Sequence, residues 1–292
     1  MNIETEKNQE TRAFWDANPC GTASSWEHAR AVRFDVTDPY LLEYLVAENF
    51  RDRKVLEVGC GQGVDANEIV KYAASYIGID LSSESVKIAE QEVIRRNAAA
   101  EATFKQMDAE RLEFESETFD TVYSCGVLHH TENFDEAIDQ IHRVLKDDGT
   151  FLMMLYRSYT PLWVVLRLVR GAMRIPIVGA WIKVHTLAGL RERESDEESL
   201  AGTALMELVG CPVIRTYSKT SLRRHLKGKF RIEETQAYRV GLDQAIRIMP
   251  KVIRKRWPTR WFDRLESRFG NILGFYLVAK AVKIGGEHTR ST

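Results

Sequence analysis

Short apolar runs alternate with longer helix-forming stretches along the first half of this chain. Residues 53–59, Arg-Lys-Val-Leu-Glu-Val-Gly, make the first run and lead into a glycine-rich turn, after which 64–74 has helical character. A second run covers 76–81. The stretch 82–97 opens on a serine cap with Glu84 behind it and continues in good helix formers. Strands are expected again at 103–107 and 119–124, a helix at 133–145, a turn at Asp147-Asp148-Gly149 and a fifth strand at 150–156. Strands and helices alternating at this spacing predict a doubly wound, mostly parallel α/β sheet. Beyond Tyr156 the alternation lapses. Residues 160–190 are apolar and helix-like but broken by Pro176 and by Gly171, Gly179 and Gly189. An acidic patch follows at 191–199, then a helix at 218–227, a strand at 230–240, a basic aromatic-rich stretch at 243–269 and a closing strand at 271–282. The two late strands bring the sheet to seven.

Composition narrows the class without naming it. With 292 residues, 44% hydrophobic and 28% charged, the chain is an ordinary globular protein with enough length for a full core. Its four cysteines, Cys20, Cys60, Cys125 and Cys211, form no CxxC pair and have no histidine at metal spacing. Neither a disulfide framework nor a metal site is expected, and the reducing cytosol is the expected compartment. The net charge of −1 hides an asymmetry. Residues 1–150 carry 15 Lys and Arg against 30 Asp and Glu, a net of −15, and the remainder carries 26 against 12, a net of +14. A basic half of this kind fits an anionic partner. It fits equally a fold in which the two halves neutralise each other.

The sharpest motif is Glu57-Val58-Gly59-Cys60-Gly61-Gln62-Gly63. Glycines at a strand-to-helix turn let the backbone approach a ligand and present N–H groups. A dinucleotide fingerprint would want GxGxxG, with a small residue where Val64 stands. Here the spacing is GxGxG, with a carboxylate two residues before the first glycine, which suits a cationic ligand better than a pyrophosphate. At this point the chain resembles the class I S-adenosylmethionine-dependent methyltransferases, in the group that includes the ubiquinone and menaquinone methylases. Four further signals follow in family order: Gly78-Ile79-Asp80-Leu81-Ser82, Met107-Asp108-Ala109-Glu110, the run from Phe119 and Asp120 to His129-His130, and Asp148-Gly149-Thr150. The resemblance implies a Rossmann-like seven-stranded sheet with cap insertions on the acceptor side, and S-adenosylmethionine as cofactor. It implies that Glu57, Gly59, Cys60, Gly61 and Gly63 hold the methionine end. Asp80, beside Leu81, takes the two ribose hydroxyls, and a carboxylate can accept both bonds. Asp108 meets the adenine amino group, with Met107 and Ala109 beside the ring and Ser124 at the end of the fourth strand. An N-terminal arm in which Trp15 and Asn18 touch the cofactor or acceptor is similar to arms that cover the cofactor in some small-molecule methylases. The same residues would also make a Pro-Gly turn anchored by Trp15.

Methyl transfer from a sulfonium is an in-line displacement, so the enzyme chiefly positions the acceptor and excludes water. His129 and His130 follow the fourth strand, where ligands sit in open α/β sheets, and are the candidate base or positioning residues. Tyr123, Tyr156 and Tyr159 are the candidate acceptor-pocket aromatics, with core or rim packing as the alternative. The chain divides into an arm at 1–50, a cofactor-binding half at 51–159, a helical cap at 160–215 and a C-terminal part at 216–292 that carries the basic insertion 243–269. Arg167, Arg170, Arg174 and Pro176 rule out a spanning helix at 160–190. That segment is either an interfacial element at a membrane surface, a lid, or a cap packed on its own domain or on a partner copy in a homodimer. Residues 251–268 combine seven basic residues with two Trp and one Phe, which suits an interfacial anchor, a stacking surface or a solvated helix. No RNA-binding module is recognisable, which argues against nucleic acid as partner. The expectation is a methyl transfer to a small, apolar or amphiphilic acceptor. A tRNA or rRNA methylase and an inactive cofactor-binding protein are the alternatives.

Overall fold

A computed structural model describes residues 6–18, 26–180, 210–240 and 268–285. The acidic patch at 191–199, the basic stretch at 251–267 and Cys20 lie outside the described residues.

The seven expected strands form one sheet: β1 (Lys54–Val58), β2 (Ser75–Asp80), β3 (Ala102–Gln106), β4 (Phe119–Cys125), β5 (Leu145–Tyr156), β6 (Phe230–Tyr238) and β7 (Tyr276–Lys283). Their order is β3-β2-β1-β4-β5-β7-β6. The first five are parallel, and β7 runs antiparallel between β5 and β6. The central strands carry near-continuous apolar runs, as strands covered on both faces require. Chain direction across the sheet reverses between β1 and β4, which opens a crevice at their carboxyl ends.

The helical elements fall on both faces and over the carboxyl edge. They are α1 (Glu6–Ala17), α2 (Trp26–Ala31), a π-helical turn (Val32–Thr37), a 3-10 turn (Pro39–Glu43), α3 (Ala47–Phe50), α4 (Ala66–Ile69), α5 (Ser83–Arg96), α6 (Phe134–Val144), α7 (Pro161–Ala172) and α8 (Lys219–Leu226). On one face Ile138 and Ile141 of α6 and Leu222 and Leu226 of α8 pack with Val122, Phe151 and Met153. On the other, Phe34, Leu41, Phe50, Ile69 and Val93 pack with Val55, Tyr76, Tyr123 and Met154. The helix starts follow the sequence. Ser82 accepts from Ser85 N at 3.1 Å, Asn133 from Glu136 N at 3.3 Å, Thr160 from Trp163 N at 3.2 Å and Ser218 from Ser221 N at 3.0 Å.

Three boundaries move. The helix expected at 64–74 is only α4, which gives way to a tighter turn where Tyr72 N donates to Ile69 O at 3.0 Å. The turn at 147–149 lies inside β5, with Asp148 at φ +57° and a register slip against β4. The last strand starts at Tyr276, because Gly274 must first pass within 2.4 Å of the Tyr238 carbonyl oxygen, measured from where a Cβ would stand.

Candidate cofactor and acceptor site

The glycine turn is folded by close approach. Gly59 and Cys60 donate to Ile79 O at 2.7 and 2.9 Å, which binds the turn to the end of β2. A Cβ on Gly59 would stand 2.1 Å from Val127, and one on Gly63 3.0 Å from the α5 backbone at Ala89. Gly61 differs: at φ +51° nothing lies within 4 Å of where a Cβ would stand, so its backbone faces open space while its N–H donates to Asp80 Oδ2 at 3.0 Å. Asp80 Oδ1 accepts from Ser82 N at 2.9 Å. Burial pushes the Asp80 carboxyl up from its usual range, and these backbone donors pull it back.

Glu57 is buried and accepts from Tyr76 OH at 2.5 Å. Its burial, with the charge of Asp65 nearby, pushes the carboxyl well up, and the tyrosine bond opposes this. Cys60 is buried, and its thiol is pushed up by that burial. Ser124 is buried and bridges β4 to β1 by donating to Val58 O at 3.0 Å. Met107 N donates to Asp80 O at 2.9 Å, and Leu81 O accepts from Gln106 Nε2 at 3.0 Å. Ala109 is buried behind Asp108. Asp108 accepts from Glu110 N at 2.9 Å through Oδ1 and from Asn8 Nδ2 at 2.8 Å through Oδ2.

That last contact shows what α1 does. The helix buries a polar face: Asn8 and Thr11 are buried, and Arg12, Trp15 and Asp16 half-buried. Asp16 accepts from Ser82 Oγ at 2.7 Å, and Trp15 meets the His130 ring edge-on at 5.4 Å. Thr11 Oγ1 is buried with no hydrogen-bond partner among the described residues. Asn18 is turned back on its own helix, donating to Phe14 O at 2.8 Å. Sequence reasoning missed Asn8, Thr11 and Asp16. The signal was present in their spacing, since 8, 11, 12, 15 and 16 share one helical face.

The residues expected on the acceptor side stand on the short 3-10 turn Leu128–His130 and at the end of β5. His129 is fully buried, lies 3.8 Å from the Tyr156 ring centre, and neither of its nitrogens has a partner among the described residues. Burial holds its imidazolium form far out of reach. His130 Nδ1 lies 2.8 Å from Val213 O and 3.3 Å from Cys211 Sγ, and burial lowers its pKa to about 4. The carbonyl contact makes Nδ1 the protonated nitrogen. Tyr156 therefore joins both histidines, but the other two tyrosines do not. Tyr123 is buried and donates to Asp65 Oδ2 at 2.7 Å, and with Cys125, Leu41 and Met154 it lines a small separate cavity. Tyr159 is 77% exposed at φ +63°, because β5 has ended and the chain is turning outward.

A second feature was not legible in the sequence. Arg33, on the π-helical turn, donates to both oxygens of Asp65 at 2.9 and 2.7 Å and to Asp38 Oδ2 at 2.7 Å. This network fastens the arm to the start of α4, next to the glycine turn. Among the described residues no cluster of His, Cys, Asp and Glu could hold a metal, and no helix is long and apolar enough to cross a membrane.

The residues present fit S-adenosylmethionine: an open cradle at Gly61, a carboxylate at the end of β2, a second after β3, and a buried α1 hydroxyl that lacks a partner among the described residues. Comparison with known proteins agrees. Residues 56–153 match the methyltransferase-domain family model. An uncharacterized methyltransferase of Bacillus subtilis is 32% identical over 108 residues, 37% of this chain and 42% of that protein. A fatty-acid O-methyltransferase of Mycolicibacterium smegmatis is 35% identical over 102 residues, 34% of this chain and 36% of that protein. The chain thus matches less than half the length of either relative. Among solved structures, a methyltransferase from Haloferax volcanii, complexed with its Trm112 activator, is similar with a TM-score of 0.59 at 15% identity, over 95% of this chain and 99% of that one. Residues 56–153 thus carry a methyltransferase domain, and its motif residues stand on a seven-stranded sheet of the class I, S-adenosylmethionine-dependent methyltransferase fold.

Proposed function

We propose that the chain transfers a methyl group from S-adenosylmethionine to an oxygen or carbon of a small apolar or amphiphilic molecule. When bound, the sulfonium would supply an electrophilic methyl group and leave as the neutral thioether, with the acceptor's proton passing to solvent. Asp80 would take the ribose hydroxyls and Asp108, with Asn8 behind it, the adenine amino group. Glu57, fixed by Tyr76, and the backbone at Gly59, Cys60, Gly61 and Gly63 would hold the methionine end, with Met107, Ala109, Leu81 and Ser124 shaping the walls. Helix α1 excludes water from above, with Trp15 spanning from the cofactor side to His130.

The observation that carries the acceptor reading is His129. A fully buried imidazole with two unpartnered nitrogens is rare, because leaving such a group unsatisfied costs about 1–3 kcal/mol. An acceptor hydroxyl would satisfy one of them. Among the described residues no carboxylate bonds to His129 to share a proton, and burial opposes its protonation, so its role is to position the acceptor. Tyr156 offers the stacked aromatic wall next to it. The lipid acceptor named for the mycobacterial relative supports an apolar substrate.

Incubation with methyl-tritiated S-adenosylmethionine and cell extract, split into organic, small aqueous and RNA fractions, tests this. Label in the organic fraction is expected. Label in RNA would instead make a nucleic-acid methylase of it, and a pocket that binds cofactor without turnover on any fraction would make it a binding protein.

A further inference from the structure

We propose that α7 and the turn after it form a docking face that seats the protein on an anionic lipid bilayer. Eleven large apolar side chains are exposed among the described residues, and six of them fall within 159–178: Tyr159, Val164, Leu168, Ile175, Ile177 and Val178. Singly exposed apolar residues are ordinary, but a contiguous group rimmed by charge marks an interaction surface. Leu168 is 68% exposed and Ile177 84%, so these side chains are not borrowed from the core.

The helix is two-faced by construction. Thr160 caps it and Pro161 opens it, after which Leu162 and Leu166 turn inward. The inner face is tied to the roof of the acceptor site. Arg170 donates to Cys211 O at 3.1 Å and to Pro212 O at 3.2 Å, and Trp163 Nε1 donates to Thr216 Oγ1 at 3.0 Å. The same segment supplies Val213 O to His130. The outer face carries Val164, Leu168 and Ile175 at helical spacing, with Arg167 and Arg174 exposed alongside. Arg167 lies over the Trp163 ring at 5.4 Å, an aromatic and cation pair of the kind favoured at the headgroup level.

Charge names the partner. From Gly149 to Ala180 the sequence contains no Asp or Glu, while Arg157, Arg167, Arg170 and Arg174 all fall within it. A protein partner would be expected to meet some acidic residues here. A surface that is apolar and uniformly cationic is complementary to acyl chains beneath anionic headgroups. At 12 residues α7 is about 18 Å long, short of the roughly 30 Å needed to span, so the helix lies on the bilayer. The inference goes beyond methyl transfer, since docking requires no turnover and is measured without it.

The test is cosedimentation of the full chain with vesicles of phosphatidylcholine alone and of phosphatidylcholine with one-third phosphatidylglycerol. Strong sedimentation with the anionic vesicles and little with the neutral ones is expected. Leu168→Asp with Ile177→Asp is expected to cut the bound fraction at least tenfold, with thermal midpoint and cofactor affinity unchanged. Arg167→Glu with Arg174→Glu is expected to abolish the preference for phosphatidylglycerol. Absence of sedimentation with either vesicle overturns the proposal, as does full binding by the double aspartate variant or an anionic preference that survives the glutamates. Sedimentation velocity covers the remaining occupant: a dimer that the aspartates dissolve, without vesicle binding, would give the face to a second copy of the chain and end the membrane reading.

Discussion

Around Asp80 and Asp108 all four carboxylate oxygens already have a donor, whereas fully buried His129 has none among the described residues on either ring nitrogen. Three of those donors are backbone N–H groups, at Gly61, Ser82 and Glu110, and the fourth is the Asn8 side chain of α1. Carboxylates with a lone pair to spare can accept a ligand without first losing a partner. The proposed acceptor end is a buried aromatic shelf, His129 against Tyr156, whose ring nitrogens an incoming molecule would satisfy. The difference teaches that the two ends were built to different tolerances. On the proposed function, one would recognise a single fixed ligand, and the other would leave its chemistry to be completed by the substrate.

The comparison can be broken most forcefully at His129. His129→Phe keeps the ring's stacking area on Tyr156 and removes both nitrogens. We expect kcat/KM to fall about a hundredfold through lost positioning, with the dissociation constant for the cofactor unchanged by calorimetry. His129→Asn should recover part of the loss. A parallel fall in cofactor affinity would mean that the two ends are not separate. Asp80→Ala addresses the other end. Loss of hydrogen bonds to a charged group should weaken cofactor binding by about 1.5–3 kcal/mol, and unchanged affinity would remove Asp80 from the site.

Acidity sharpens the contrast. His130 has a folded pKa of about 4 against a usual value near 6.5, so the unfolded chain binds more protons between these limits. Stability is therefore full above pH 6.5 and falls as pH drops toward 4. From this residue alone the loss between pH 7 and pH 5 is about 2 kcal/mol. The thermal midpoint should drop by several degrees over that range, and His130→Gln should flatten the dependence whatever it does to the absolute midpoint. A variant with the wild-type slope would show that the acid sensitivity lies elsewhere. The smallest expected effect is at the lid. Thr11→Val removes only the unpartnered hydroxyl and should weaken cofactor binding by about 1 kcal/mol, with Thr11→Ser close to wild type. Equal affinity in all three would leave α1 as a cover without a direct contact.

The legible part of the site is the part that is local. Residues 57–63 must end a strand and turn tightly toward α4 within seven positions, so glycine at 59 and 63 is forced by neighbours 2.1 and 3.0 Å from a Cβ. Asp80 and Asp108 are legible as candidates because one ends β2 and the other follows β3 by two residues, the edge where parallel sheets place their ligands. The tyrosines were harder, because position at a strand end does not fix direction. Tyr156 lies against His129, Tyr123 gives its hydroxyl to Asp65, and Tyr159 has already left the sheet for the surface.

By itself, then, the sequence determined the seven strands, their parallel winding and the cofactor motif, because apolar periodicity and glycine sterics act over a few residues. Tertiary structure alone decided the rest. It brought Asn8 to Asp108 across 100 positions, locked Arg33 onto Asp65, set His130 against Cys211 and Val213, and left the His129 ring nitrogens without a partner among the described residues. Those pairings depend on which distant surfaces meet once the sheet is closed and its helices are packed. No local pattern encodes that, because the burial that selects them is a property of the whole fold.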